Sequence, residues 1–127
     1  MLAVDTNVIV RLLVDDDPVQ APLARRLFEQ NDIWVSVTVL VECAWVLRSA
    51  YGMSARRSAE LLRGLLGLDN VRVEDVDSVA RAIDAVRGGL ELTDALHLAR
   101  VPVGVEFVTF DKALVKAGQG LGRSRLV

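Results

Sequence analysis

The chain has 127 residues, with 15 basic and 17 acidic side chains and a formal net charge of −2. That length carries one hydrophobic core and is too short for two independent ones, so a single domain over residues 1–127 is expected. The near-neutral balance excludes a molecule that gathers nucleic acid by bulk charge, and any such contact must be local.

In chain order, Leu2, Ala3 and Val4 predict a short buried strand, and Val8 to Val14 has helical spacing. Asp17 followed by Pro18 is a cap-then-proline start for a second helix through Leu23, Leu27 and Phe28. A strand over Ile33 to Val35 ends at Ser36, which caps a third helix to about Ala50, where Tyr51 and Gly52 stop it. Ser54 opens a fourth helix to Leu66, and Val71 to Val73 reads as a strand. Further helices are expected over Val76 to Val86 and Thr93 to Arg100, then a strand over Glu106 to Phe110. A last helix over Lys112 to Ala117 and a strand over Arg125 to Val127 complete an alternating pattern. Such alternation predicts an α/β fold with a parallel sheet covered by helices on both faces.

Function in an open parallel sheet collects beyond the carboxyl ends of the strands. Asp5 in "LAVDTN" and Asp111 in "FVTFDK" each follow a strand, Glu42 sits in the apolar "VLVECAWVL", and Asp94 opens the helix "LTDALHLA". Each has an ordinary explanation: Asp5 and Asp111 as helix caps, Asp94 as a first-turn acid favoured by the helix dipole. Glu42 is harder to explain in that way, because an acid among apolar neighbours needs a partner or a raised pKa. If the four carboxylates converge, their repulsion calls for a cation. Oxygen donors without a His or Cys cluster select Mg²⁺ or Mn²⁺, which can acidify a water and neutralise a phosphodiester.

Taken in order, "VDTNVIVRLL", "SVTVLVECAWVL", "LTDALHLA" and "VTFDKAL" resemble the PIN-domain ribonucleases, and the chain is similar to the VapC-type toxins of toxin–antitoxin pairs over essentially its whole length. The resemblance implies a three-layer α/β/α sandwich and a metal-dependent endoribonuclease that acts as a homodimer and is silenced by a cognate antitoxin. Asp5, Glu42 and Asp94 match the family's core acids and Asp111 a more variable fourth, while Thr6, Asn7 and Thr109 match supporting polar positions. Asp5 and Asp94 are then the expected metal ligands. The chain departs from many relatives at Glu91, where they carry Asp, and the longer side chain bears on a second metal.

Several other residues invite a role. His97, three residues after Asp94, is read as structural, and Cys43 as packing. The run Asp15 to Asp17 is read as a solvated turn, and Trp34 and Trp45 as core or dimer-interface residues. Arg11 is the candidate for an RNA or antitoxin contact, with Arg123 and Arg125 behind it. Thirteen of the fifteen cations are Arg, which suits phosphate recognition but equally follows from codon bias. A hydrophobic share of 52% and a mean hydropathy of +0.35 point to a face covered by a partner or to a sheet buried on both sides. The single cysteine excludes an intrachain disulfide and fits a reducing cytoplasm. Charges at Arg11 and Asp15 to Asp17 interrupt the first apolar stretch, so no membrane role is expected. Two alternatives remain: a haloacid-dehalogenase-like phosphatase, which expects Asp where Asn7 stands, and a non-catalytic RNA- or protein-binding module.

Overall fold

The computed structural model describes residues 1–127 and divides them into two compact units, Met1–Val76 and Asp77–Val127. Seven α-helices alternate with five short strands, and every strand pair is parallel, as the alternating pattern predicts.

The first unit holds β1 (Leu2–Ala3), α1 (Thr6–Val14), α2 (Gln20–Gln30), β2 (Ile33–Val35), α3 (Val37–Ser49), α4 (Ala55–Leu66) and β3 (Val71–Val73). Its sheet runs β1-β2-β3, with Ile33 in register with both Leu2 and Val71 and Val35 opposite Val73. The β-branched Ile33 and Val35 are buried while Trp34 between them is exposed, the two-residue alternation of a pleated strand. β1 is shorter than expected and is not buried: Leu2 is 40% exposed, on a strand hydrogen-bonded along one edge only.

Capping side chains fix the helix starts. Ser36 and Ser54 Oγ accept from the amides of Val39 at 3.2 Å and Arg57 at 3.0 Å, at the two positions where serine signalled a start. α1 begins at Thr6, two residues ahead of the hydrophobic run, because Asp5 caps it. Asp17 Oδ1 accepts from the amides of Val19 and Gln20, and its carbonyl accepts from Ala21, so the cap-then-proline signal marks where the α2 hydrogen bonding begins. α1 packs on α2 and α3, and α3 on α4, around the fully buried Ile9, Leu40, Leu47 and Leu62. Asn70 reaches back across the unit, donating from Nδ2 to the carbonyls of Phe28 and Asn31. Trp45, expected in a core or an interface, is no core residue: it stands 68% exposed on α3.

The second unit holds α5 (Val76–Ala85, beginning one residue before the boundary), a 3₁₀ turn over Val86–Gly88, α6 (Leu92–Ala99), β4 (Phe107–Thr109), α7 (Lys112–Ala117) and β5 (Ser124–Leu126). β4 and β5 pair in parallel, Phe107 opposite Ser124 and Thr109 opposite Leu126. The sequence placed these strands within two residues of their observed ends. Gly122 is required by close approach: a Cβ there would lie 2.8 Å from the carbonyl oxygen of Leu98 on α6. No helix is long and apolar enough to cross a membrane.

Candidate active site

In the first unit, β1 delivers the chain to Asp5 and α1 leaves from it. Asp5 Oδ1 accepts from the Thr6 amide at 2.7 Å, so the capping role weighed from sequence is real. That bond uses one carboxylate oxygen, and the second has no hydrogen-bond partner. Glu42 emerges from α3 between half-buried Val41 and buried Cys43, is itself exposed, and makes no hydrogen bond or ion pair. Its apolar sequence neighbours therefore do not surround it: the residues flanking it turn toward the core, which removes the expected need for a buried partner.

Asp5 and Glu42 line one cavity of about 490 Å³ together with Thr6, Asn7, Arg11 and Tyr51. Val10, Val46 and Ala50 complete it, and Glu42, Val46 and Ala50 fall on one helical face at four-residue spacing. Arg11 is the cation among these residues, and its Nε and Nη1 are held by groups other than the two acids. Nη1 lies 3.5 Å from Asp16 Oδ1 and donates to the Tyr51 hydroxyl at 3.1 Å, while Nε donates to Gln20 Oε1 at 2.7 Å. Asp5 and Glu42 thus have no ion-pair partner on the protein. The Thr6 hydroxyl is the one buried side-chain oxygen or nitrogen without a hydrogen bond, on a residue only 6% exposed.

Cys43 lies behind these acids. Its fully buried Sγ is 3.9 Å from the Thr6 carbonyl oxygen, and burial first, then the charges of Glu42 and Asp5, push the thiol up to about 12. A thiol so far from ionising is no nucleophile at neutral pH, in keeping with the packing role expected from sequence.

In the second unit, Asp94 sits half-buried in the first turn of α6 and makes no hydrogen bond or ion pair. Asp111 caps α7, its Oδ1 accepting from the Leu114 amide at 3.0 Å, and its own amide donates to Thr109 Oγ1 at 3.1 Å. Thr109 therefore supports Asp111 directly. Glu91 is the cap residue of α6 through its carbonyl, which accepts from the Ala95 amide at 2.9 Å. His97 is exposed and stacks on Phe107 with ring centroids 6.4 Å apart. Arg123 and Arg125 both pair with Glu106, so these weaker phosphate candidates are neutralised where they stand.

Tyr51 is the residue the sequence passed over, having read it only as a helix stop. The signal available was positional: it follows directly on the face that Glu42, Val46 and Ala50 mark out. Neither unit gathers three or more His, Cys, Asp or Glu side chains into a ready-made metal cluster. The donor chemistry nevertheless suits a hard divalent cation. Asp5 has a carboxylate oxygen to spare, Glu42 is uncommitted, and Thr6 holds an unpartnered hydroxyl, all oxygen donors of the kind Mg²⁺ and Mn²⁺ prefer.

Parallel strands, two of which lead into helices capped by Asp5 and Asp111, define an α/β protein with carboxylates beyond its strand ends. The PIN domain family matches residues 2–119, nearly the whole chain, and the protein belongs to that family, whose members are generally nucleases. Comparison with curated proteins and with solved structures returned no match.

Proposed function

We propose that the protein is a Mg²⁺- or Mn²⁺-dependent endoribonuclease and the VapC-type toxin of a toxin–antitoxin pair. The observation that carries this is the cavity in which Asp5 and Glu42 have no ion-pair partner on the protein, in a chain of the PIN-domain family. Asp5 and Asp94 are the metal ligands in this reading. A bound divalent cation would supply charge neutralisation at the phosphodiester and a more acidic water. Glu42 and Asp111 would hold water and position it for attack, and Thr6, Asn7 and Thr109 support the site. No side chain attacks phosphorus, since Cys43 is buried and protonated. Water attack that spares the 2′-hydroxyl leaves a 5′-phosphate and a 3′-hydroxyl.

RNA is the substrate, with unpaired loops as the accessible targets. A cognate antitoxin and a second copy of the chain are the expected protein partners, the latter in line with the exposed Trp45 and the high hydropathy. A reducing cytoplasm is the expected compartment. The test is incubation of purified protein with structured and single-stranded RNAs in Mg²⁺, Mn²⁺ or EDTA. Cutting with either metal and none in EDTA is the expected result. Folded protein that cuts nothing under any condition, or cuts equally in EDTA, would overturn the proposal.

A further inference from the structure

The cavity of about 490 Å³ in the first unit combines features that the carboxylates do not require. One wall is apolar, formed by Val10, Val46 and Ala50, and beside it stands the half-buried ring of Tyr51. The guanidinium of Arg11 is clamped by Gln20, Tyr51 and Asp16 through Nε and Nη1, leaving Nη2 without a partner. Thr6 contributes a buried hydroxyl that nothing in the protein satisfies. The volume falls within the usual range for small-ligand sites, in which apolar walls and a few placed polar groups set orientation.

From this we infer that the cavity seats one unpaired nucleotide of the RNA beside the bond to be cut, making Tyr51 and Arg11 substrate-positioning residues. The inference rests on the ribonuclease reading and adds to it a base-binding subsite. A nucleotide supplies matching chemistry: a planar face for the apolar wall and the tyrosine ring, phosphate oxygens for Arg11 Nη2, and a ribose hydroxyl for the polar floor. Base–aromatic stacking tolerates any base, so the subsite senses that a base is present more than which one it is. Tyr51 acts twice, as a stacking surface and as the hydroxyl that fixes Arg11.

The test is equilibrium binding of fluorescent single-stranded RNA hexamers in EDTA, each carrying one abasic position, followed by cleavage of the same set in Mg²⁺. In the unmodified protein one abasic position should weaken binding about tenfold, the scale of a lost base stack. Tyr51→Ala should bind every hexamer equally, while Tyr51→Phe keeps the abasic sensitivity and loses phosphate affinity. Ala50→Phe, at an exposed position on the cavity wall, should fill the subsite and erase the sensitivity without depending on how Tyr51→Ala folds. Uniform binding of all hexamers by unmodified protein, or unchanged sensitivity in both Tyr51→Ala and Ala50→Phe, would overturn the subsite, and a peptide side chain would become the better occupant. Position-specific binding without cleavage in Mg²⁺ would sink the nuclease reading and leave the subsite standing. Cleavage with uniform binding would do the reverse.

Discussion

In the first unit an aspartate accepts backbone amides at or just before the start of two helices, and the two aspartates are used differently. Asp17 spends Oδ1 on the amides of Val19 at 2.9 Å and Gln20 at 2.7 Å, and these bonds hold its carboxyl below the ordinary 3.8. Asp5 spends one oxygen on a single amide and shares a cavity with Glu42, an acid that caps nothing. The same residue type at the same kind of junction thus accepts two backbone bonds in one place and one in the other, and only Asp5 lines a cavity with a second acid. Sharing a cavity with a second carboxylate that has no protein partner, and not a spare oxygen alone, is what gives Asp5 chemistry to offer. In the second unit Asp111, like Asp5, caps a helix through Oδ1 alone, while Asp94 makes no cap bond.

The largest effect that would sharpen this contrast lies in destabilisation. Leu47, fully buried on α3 below the face that carries Glu42, should cost about 2–5 kcal/mol as Leu47→Ala in denaturant unfolding. A cost under about 1 kcal/mol would mean that α3 is held by something other than this core. Next comes Glu42→Gln, which removes a charge with no structural partner. Cleavage should fall at least about a hundredfold, equivalent to some 2.7 kcal/mol of transition-state stabilisation, with an unchanged melting temperature. Undiminished cleavage would return Glu42 to the solvated surface.

Asp17 should behave in the opposite way. Its native pKa is lowered, so its contribution to stability is complete above the ordinary 3.8 and is lost as pH falls through the native value. Asp17→Ala should therefore melt below the unmodified protein at pH 7, the gap narrowing in acid, while RNA cleavage at pH 7 is unchanged. A gap independent of pH would show that the cap's charge is irrelevant. The smallest effect concerns Cys43, which should resist alkylation in the native protein at pH 8 and react once unfolded, as followed by mass spectrometry. Rapid native labelling would contradict its burial beneath Asp5 and Glu42.

Much of this was legible in the sequence. Cap chemistry fixed the starts of α3 and α4 at Ser36 and Ser54 because a side-chain oxygen three residues before an amide acts locally. Parallel pairing followed from alternation of strands and helices. The misjudged features depend on surroundings that one-dimensional pattern does not carry. Glu42 has apolar neighbours in sequence yet is exposed, because a helix turns adjacent residues about 100° apart and the inward face is that of Leu40, Cys43, Ala44 and Leu47. Trp45 looked like core for the same reason. Tyr51 gained its role from Arg11, forty residues away in sequence, a contact that no local spacing announces.

The most direct measurement compares RNA cleavage rates in saturating Mg²⁺ for the unmodified protein, Asp5→Asn and Asp17→Asn. Asparagine caps a helix about as well as aspartate, so both variants keep their folds and lose only a charge. The account predicts that Asp5→Asn abolishes cleavage while Asp17→Asn cuts at the unmodified rate. Equal rates for all three would contradict it and leave Asp5 as a helix cap alone.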